Sequence, residues 1–223
     1  MAFRRIATAA VLATGEELTA AMVGVGMVFA AKSAPHPNIE DTLLAASVAG
    51  MDGDDLRVLA VLTTWLGTHY PWINADRLAR AVQAHPSDRV RGFWTAMARW
   101  LEKDRRLARL RDLYQGPRID LLRTGTRFQI ARRGEDARFA WGPLVVPAGL
   151  LRDRPADILT PEALAKRHGT YRCRVHMGPT NRADMWALLD RAPSLSASEV
   201  ARQTYGSFAT AWQVKHEHDL LAA

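Results

Sequence analysis

Apolar side chains recur every three or four residues through the first half of the chain, which is the spacing of helices that bury one face. Asparagine, aspartate or proline precedes several of these segments, at positions typical of helix starts. The pattern predicts helices over residues 39–48, 54–66 and 74–85, and a long arginine-rich helix from 88 to about 110. The alanine-rich segment 1–38 predicts one or two short helices that break near Gly15.

The spacing becomes alternating at Thr126. Phe128 and Ile130 alternate with polar residues before Gly134, and another aromatic pair follows it, which is typical of a β-hairpin with an arginine-rich face. Pro147 limits the second strand to an edge position. We therefore predict a hairpin over residues 126–146.

The chain changes again after a polar connector at 150–155. Thr160 followed by Pro161 is a favourable helix start, and the alternation over 171–176 predicts a strand. Three helices are then predicted at 182–191, 197–204 and 208–221. Ser196 and Glu199 have the spacing of a capping box, which fixes the start of the middle helix.

The last two predicted helices flank the tight turn Tyr205-Gly206-Ser207. Over about 40 of the 223 residues, the sequence resembles the helix-turn-helix and winged-helix domains of bacterial regulators. The matching segments are Ser-Ala-Ser-Glu-Val-Ala-Arg, Tyr-Gly-Ser and Ala-Thr-Ala-Trp-Gln-Val, with Val200, Ala201, Ala211 and Val214 at the packing positions. Gly206 stands one position later than in the family pattern. The resemblance implies that the exposed face of a recognition helix carries Ser207, Thr210, Gln213 and Lys215.

Residues 73–80 and 195–202 form a weak internal repeat, and each copy precedes a helix that bears Phe and Trp. In the first copy the predicted hairpin follows this helix, where a wing would lie. We therefore predict a mainly α fold with tandem winged-helix-like units at 39–149 and 156–223, after N-terminal helices in 1–38. Three-helix units also occur in proteins that never contact DNA, so the fold alone does not assign a function.

The chain has 30 Lys and Arg against 23 Asp and Glu, a net charge of +7, and only four of the basic residues are lysines. The guanidinium fork matches phosphate oxygens, although a GC-rich genome would also raise the arginine content. Most of the seven tryptophans have the spacing of core residues. The arginines that we predict to contact phosphates are Arg89, Arg91, Arg127, Arg132, Arg133 and Arg138.

The sequence contains no glycine-rich phosphate loop, nucleophile elbow or paired-cysteine motif, so we predict a non-enzyme without cofactor or metal. An enzyme would require a pocket that joins His168, Cys173 and His176. On a helix, His216 and His218 would point apart and could not share a metal. The single cysteine fits a reducing compartment, and the apolar runs are too short to span a bilayer, so we predict a cytoplasmic protein without a membrane segment.

These features predict a DNA-binding regulator or accessory factor that contacts double-stranded DNA, with RNA also possible, as a homodimer or as a subunit of a complex. The alternative is a non-enzymatic helical subunit or scaffold of a larger assembly, whose helix-turn-helix units bind protein and whose basic surface meets an acidic partner or RNA. The third helix of each unit separates the two hypotheses. A base-reading helix exposes polar side chains, whereas a scaffold buries them.

Overall fold

The computed structural model of the chain describes residues 8–9, 11–101 and 104–222. Over these residues the fold is mainly helical, as predicted, with one two-stranded parallel sheet. The helices are α1 Gly15–Gly24, α2 Ile39–Met51, α3 Leu56–His69, α4 Ala75–Ala84, α5 Asp88–Trp100, α6 Ala108–Arg111, α7 Thr126–Arg133, α8 Pro161–Arg167, α9 Gly169–Met177, α10 Asn181–Arg191, α11 Ala197–Gln203 and α12 Phe208–Ala222. The strands are β1 Ile119–Asp120 and β2 Leu144–Val145. The first helix predicted within 1–13 lies largely outside the described residues.

Side-chain caps fix the starts of the N-terminal helices. Asn38, Asn74 and Ser87 each accept a hydrogen bond from the backbone N–H three residues later, which begins α2, α4 and α5. Asp54 adopts a left-handed φ of 57°, and the cap of α3 is Asp55. Because caps depend on residues that are close in sequence, these starts were predictable within one or two positions.

The long helix predicted to run to residue 110 is wrong at its C-terminal end. Helix α5 ends at Trp100, and a 3-10 turn at Arg105–Leu107 leads into the separate helix α6. Asp104 accepts hydrogen bonds from the backbone N–H and the guanidinium of Arg106, so it starts a new turn instead of continuing α5. Leu107 and Leu110 are buried, and both belong to the core that also contains residues of α5.

One cluster of buried side chains extends from Leu18 in α1 to Tyr171 in α9. Helices α2 and α3 are joined by four residues and pack side by side in its centre. Trp65 and Trp94 are fully buried, and their indole N–H groups donate to the carbonyl of Val25 and the hydroxyl of Ser47. The polar atoms of these large side chains are therefore satisfied within the core.

The hairpin predicted over 126–146 is wrong, because residues Thr126–Arg133 form α7. Gly125 and Gly134 flank this helix with φ near 78°, a conformation that glycine adopts without strain. The alternation that suggested a strand covers too few residues to separate a period of two from a helical period. Phe128 is 61% exposed, so the apolar residue of this pattern does not mark a buried strand face. The predicted wing is therefore absent from the described residues.

The strand predicted over 171–176 is also wrong, because these residues lie in α9. The side chain of His168 accepts a hydrogen bond from the backbone N–H of Tyr171 and caps this helix. Tyr171 and Arg174, three residues apart, are both buried on one helix face. In a strand these two side chains would point to opposite faces, so their shared burial does not fit the alternation that predicted one.

The last three helices pack around a smaller cluster of their own. Its buried members are Met185, Leu188, Leu189, Val200, Ala201, Ala211 and Val214. The four packing positions that the family resemblance implied are all among them. Helices α8 and α9 instead contribute Leu164 and Tyr171 to the larger cluster, so the unit boundary at 150–155 stays a prediction.

Candidate nucleic-acid interface

Helices α11 and α12 lie where the sequence predicts the last two helices of a helix-turn-helix. The Ser196 hydroxyl accepts from the N–H of Glu199 at 3.2 Å, and the Glu199 carboxylate accepts from the N–H of Ser196 at 2.9 Å. This capping box fixes the start of α11. Val200 on α11 and Val214 on α12 are fully buried against α10, so the opposite side of α12 faces solvent.

The turn between these helices has its left-handed residue at Tyr205, with a φ of 56°. A Cβ at Gly206 would lie 2.1 Å from the terminal methyl of Met185, so this glycine allows α10 to approach. The left-handed position thus stands where the family pattern places its glycine, one residue before Gly206. A non-glycine residue in this conformation costs about 1–3 kcal/mol, which the contacts of Tyr205 must offset.

Tyr205 connects the turn to the N-terminal helices. Its hydroxyl donates to the carboxylate of Asp41 at 2.9 Å, and the guanidinium carbon of Arg77 lies 4.1 Å from the centre of its ring. Its backbone carbonyl accepts from the side chain of Asn181 at 3.4 Å. Burial and the neighbouring Asp41 raise the pKa of Tyr205 to about 12, so the hydroxyl remains a donor. These contacts fix the position of the turn relative to α2 and α4.

Four charged side chains form a buried charge cluster beneath this turn: Glu40, Arg77, Arg174 and Asp184. Arg174 donates to both oxygens of Glu40, at 2.6 and 2.9 Å, and to both oxygens of Asp184, at 2.7 and 2.8 Å. Arg77 donates to Glu40 at 2.9 Å from the other side. The guanidinium of Arg174 on α9 thus makes a bidentate pair with one carboxylate on α2 and another on α10, which holds the three helices together.

The buried charge cluster determines the protonation of its carboxyl groups. Burial alone would raise the pKa of Glu40, but Arg174 and Arg77 lower it to about 2. Burial raises the pKa of Asp184, and Arg174 opposes this shift. Burial likewise disfavours the charge of Arg174, yet Asp184 and Glu40 raise its pKa above the ordinary value. Glu40 is therefore ionised at neutral pH, and the cluster is stable only while its cations remain in place.

The four residues predicted to read bases differ in their surroundings. The hydroxyl of Ser207 accepts from the N–H of Thr210 at 3.0 Å, which places both side chains at the start of α12. Gln213 is exposed and donates to Glu217 at 2.8 Å. Lys215 instead donates to the carbonyl of Pro193 at 3.1 Å and pairs with an acid one turn later. Its predicted contact with DNA would require that these bonds break.

Two aromatic residues on α12, Phe208 and Trp212, face solvent, although the spacing of most tryptophans predicts core positions. Phe208 is 59% exposed and Trp212 is 57% exposed. The ring of His216 stacks on Trp212, with 5.8 Å between the ring centres. Because these residues are four positions apart, they form one row along the helix. Spacing alone could have shown that they share a face, but not that the face is open.

A groove of about 340 Å³ borders the start of α12. We call it the basic groove; its lining includes Arg80 on α4, Arg109 on α6, Arg182 on α10 and Thr210 on α12. Arg109 pairs with Asp76 at 2.8 Å, and both side chains are about 70% exposed. The Nε of Arg80 is buried without a hydrogen-bond partner among the described residues. Sequence analysis missed these arginines because they come from three separate helices.

The two arginines on α5 that we predicted to contact phosphates, Arg89 and Arg91, bind other groups of the protein. Arg89 donates to the carbonyl oxygens of Met51, Asp120 and Leu121, which ties the end of α2 to β1. Arg91 donates to the carbonyl of His85 at 2.7 Å and pairs with the carboxylate of Asp88. Helix α5 also buries Phe93 and Trp94. The third helix of the first predicted unit therefore presents no open face for bases.

The other four predicted arginines lie on or near α7. Arg127, Arg132 and Arg133 are exposed, and the guanidinium of Arg132 lies 5.7 Å from the ring centre of Phe128. Arg138 is bound by Asp136 at 2.7 Å and by Asp153 at 2.9 Å, and is only 20% exposed. Contacts of all four with nucleic acid stay predictions, but Arg138 would have to give up two ion pairs to make one.

The residues of the enzyme alternative have separate environments. Neutral His168 donates from Nε2 to the carbonyl of Pro37 at 3.0 Å and accepts at Nδ1 from Tyr171, and burial lowers its pKa to about 4. Burial raises the pKa of Cys173, whereas His176, three residues later on α9, is exposed. Both nitrogens of His168 are thus occupied by structural bonds.

Among the described residues, no group of three or more His, Cys, Asp or Glu side chains has a geometry that could hold a metal ion. None of the helices in that part of the chain has the length and apolar composition needed to cross a membrane. The chain matches no protein-family profile, no curated protein and no solved structure.

Proposed function

We propose that the chain binds double-stranded DNA through α12 and the basic groove. The observation that supports this proposal is their adjacency, since Thr210 belongs both to the open face of α12 and to the lining of the groove. With α12 in the major groove of a duplex, the flanking phosphates would meet Arg80, Arg109 and Arg182.

In this complex the start of α12 would face the base edges. Gln213 can donate to and accept from adenine, while Ser207 and Thr210 can bond to bases or phosphates. Arg109 and Arg182 now pair with exposed or half-exposed carboxylates, and such pairs contribute little to stability. Replacement of these carboxylates by DNA phosphates as the partners of the arginines therefore costs little free energy. The contacts of Tyr205 keep α12 in the same orientation in the free and the bound protein.

The N-terminal helices would have a different role from the one expected of a second winged-helix unit. Because α5 is buried, we assign residues 39–149 to the wall of the basic groove and to the support of the turn, rather than to base contacts. A homodimer would place two copies of α12 on half-sites about 34 Å apart, or a multiple of it, as in other helix-turn-helix regulators.

The exposed aromatic row favours one alternative, a protein-binding scaffold. Trp212 is a type of side chain that often anchors protein interfaces, and the exposed Phe208 and Leu220 extend its apolar surface. In this case α12 would be covered by a partner helix or sheet, and the basic groove would face an acidic segment of that partner. DNA binding and partner binding would then compete for the same helix.

Fluorescence anisotropy with random duplex DNA, single-stranded DNA and structured RNA at several salt concentrations tests the proposal. We expect the duplex to bind most tightly, and Arg109→Gln and Arg182→Gln each to lower the salt slope by about one. Arg123→Gln is the matched control, because Arg123 is 58% exposed and pairs with Asp54 beyond the other end of α2. Absence of duplex binding at low salt, or equal losses in the control and the groove variants, would contradict the proposal.

A further inference from the structure

A second basic cleft, of about 620 Å³, lies beside the start of α3. We call it the arginine cleft; its charged lining consists of Arg57, Arg133, Arg152 and Arg154. Arg57 comes from the first turn of α3, Arg133 from the end of α7, and the other two from the segment before α8. The remaining lining residues are Leu56, Ala148, Gly149 and Leu150, so no acidic side chain lines the cleft.

The acids closest in sequence to these arginines are bound elsewhere. Asp55 caps α3, and Glu135 pairs with Arg118. Asp136 and Asp153 both pair with Arg138. Among the arginines of the cleft, only Arg154 has an ion-pair partner in the described residues, Asp157 at 3.1 Å.

The arginine cleft therefore has a concentrated charge that the fold does not neutralise. Arg133 and Arg152 are exposed and have no hydrogen bond or ion pair with any described residue. The guanidinium of Arg57 lies 5.3 Å from the ring centre of Phe29. Like charges that converge on one cleft destabilise the empty fold, and a bound anion would remove this repulsion.

The arginine cleft and the proposed DNA interface lie at opposite ends of α2. Tyr205, in the helix-turn-helix turn, contacts Asp41 in the first turn of α2. Arg57 is the second residue of α3, which begins after the four residues that follow α2, and α2 has 13 residues. A helix of this length spans about 20 Å, so a ligand in the cleft need not contact α12.

We propose that the arginine cleft binds a small polyphosphate, namely the phosphate chain of a nucleoside di- or triphosphate. Three guanidiniums without an ion-pair partner and a fourth paired with Asp157 can bind several phosphate oxygens in bidentate pairs. The volume lies in the range of about 300–1,000 Å³ that is typical of small-ligand sites. Leu56 and Leu150 supply an apolar surface for the nucleoside.

Isothermal titration calorimetry of the full chain with sodium tripolyphosphate tests this site. We expect binding at low salt, and Arg133→Gln and Arg152→Gln each to raise Kd about tenfold or more, which corresponds to one lost charge-assisted bond. Arg132→Gln is the matched control, because Arg132 is exposed on the same helix but does not line the cleft. Since Arg133 has no described partner, its replacement should leave the thermal midpoint of the free protein unchanged or higher.

Further ligands distinguish the source of the phosphates. Tighter binding of ATP than of AMP, with Arg152→Gln impairing ATP binding but leaving the duplex Kd unchanged, would support the proposal whether or not α12 binds DNA. The proposal is overturned if tripolyphosphate and ATP do not bind at millimolar concentration. It is also overturned if Arg132→Gln and Arg133→Gln have equal effects on tripolyphosphate binding, or if Arg152→Gln weakens duplex binding as much as ATP binding.

Discussion

Replacement of Arg174 by methionine should destabilise the fold by about 3–5 kcal/mol at pH 7, because it leaves buried carboxylates without their cation. Arg174 donates hydrogen bonds of 2.6–3.1 Å to Glu40, to Asp184 and to the carbonyl of Trp72. Glu40 would still pair with Arg77 at 2.9 Å, whereas Asp184 would lose its bidentate cation. Most of the cost should therefore arise at Asp184.

The cost should depend on pH in a defined direction. Burial already raises the pKa of Asp184 in the native protein, and loss of Arg174 should raise it further. A carboxyl group with a raised folded pKa destabilises the fold above that pKa, and this penalty disappears as the pH falls below the unfolded value. The cost of Arg174→Met should therefore become smaller as the pH falls towards the ordinary pKa of an aspartate.

Urea unfolding followed by tryptophan fluorescence at pH 7 and at pH 4.5 measures both effects. Arg172→Met is the matched control, because Arg172 is exposed on the same helix and its loss should change the unfolding free energy by less than about 0.5 kcal/mol. A cost below about 1 kcal/mol for Arg174→Met, or the same cost at both pH values, would refute the assignment of Arg174 as the essential cation of the buried charge cluster.

Three further predictions test other parts of the fold. Burial lowers the pKa values of His69 and His168 to about 4, so unfolding takes up protons and stability should fall as the pH drops from about 6.5 towards 4; a flat unfolding free energy in this window would contradict it. Gly50→Ala should lower the free energy of unfolding by about 1–3 kcal/mol, since the new Cβ would lie 2.6 Å from Cδ1 and 2.9 Å from Cβ of Leu59. A higher thermal midpoint would show that the greater helix propensity of alanine outweighs this steric cost. Ser196→Ala should cost about 1 kcal/mol and speed hydrogen exchange at the start of α11, and unchanged exchange would argue against the capping box.

The features that could be predicted from the sequence are those that local interactions determine. The caps at Asn38, Ser87 and Ser196 each bond to a backbone group three residues away. The packing positions on α11 and α12 follow from helical spacing within one short segment. The bounds of two short helices and the residues that pack between them can therefore be predicted from a single sequence.

The features that could not be predicted depend on residues distant in the chain. Arg174 faces inward because it pairs with Glu40. Since Glu40 lies 134 positions earlier in the chain, no local pattern shows this pairing, and the rule that places arginine at the surface fails there. The basic groove combines Arg80, Arg109 and Arg182 from three helices, and no spacing in the sequence relates them. The hairpin prediction failed because Phe128 is an exposed aromatic residue in a segment too short to define a period.

The buried charge cluster also limits how the last three helices can be separated from the rest of the chain. A fragment that starts at Gly178 keeps α10 to α12 but leaves Asp184 without Arg174 and Tyr205 without Asp41. Fusion of that fragment to another protein would expose both groups or bury them unsatisfied. Exchange of this segment by recombination would thus require compensating substitutions on both sides of the junction, which makes it a poorly portable module.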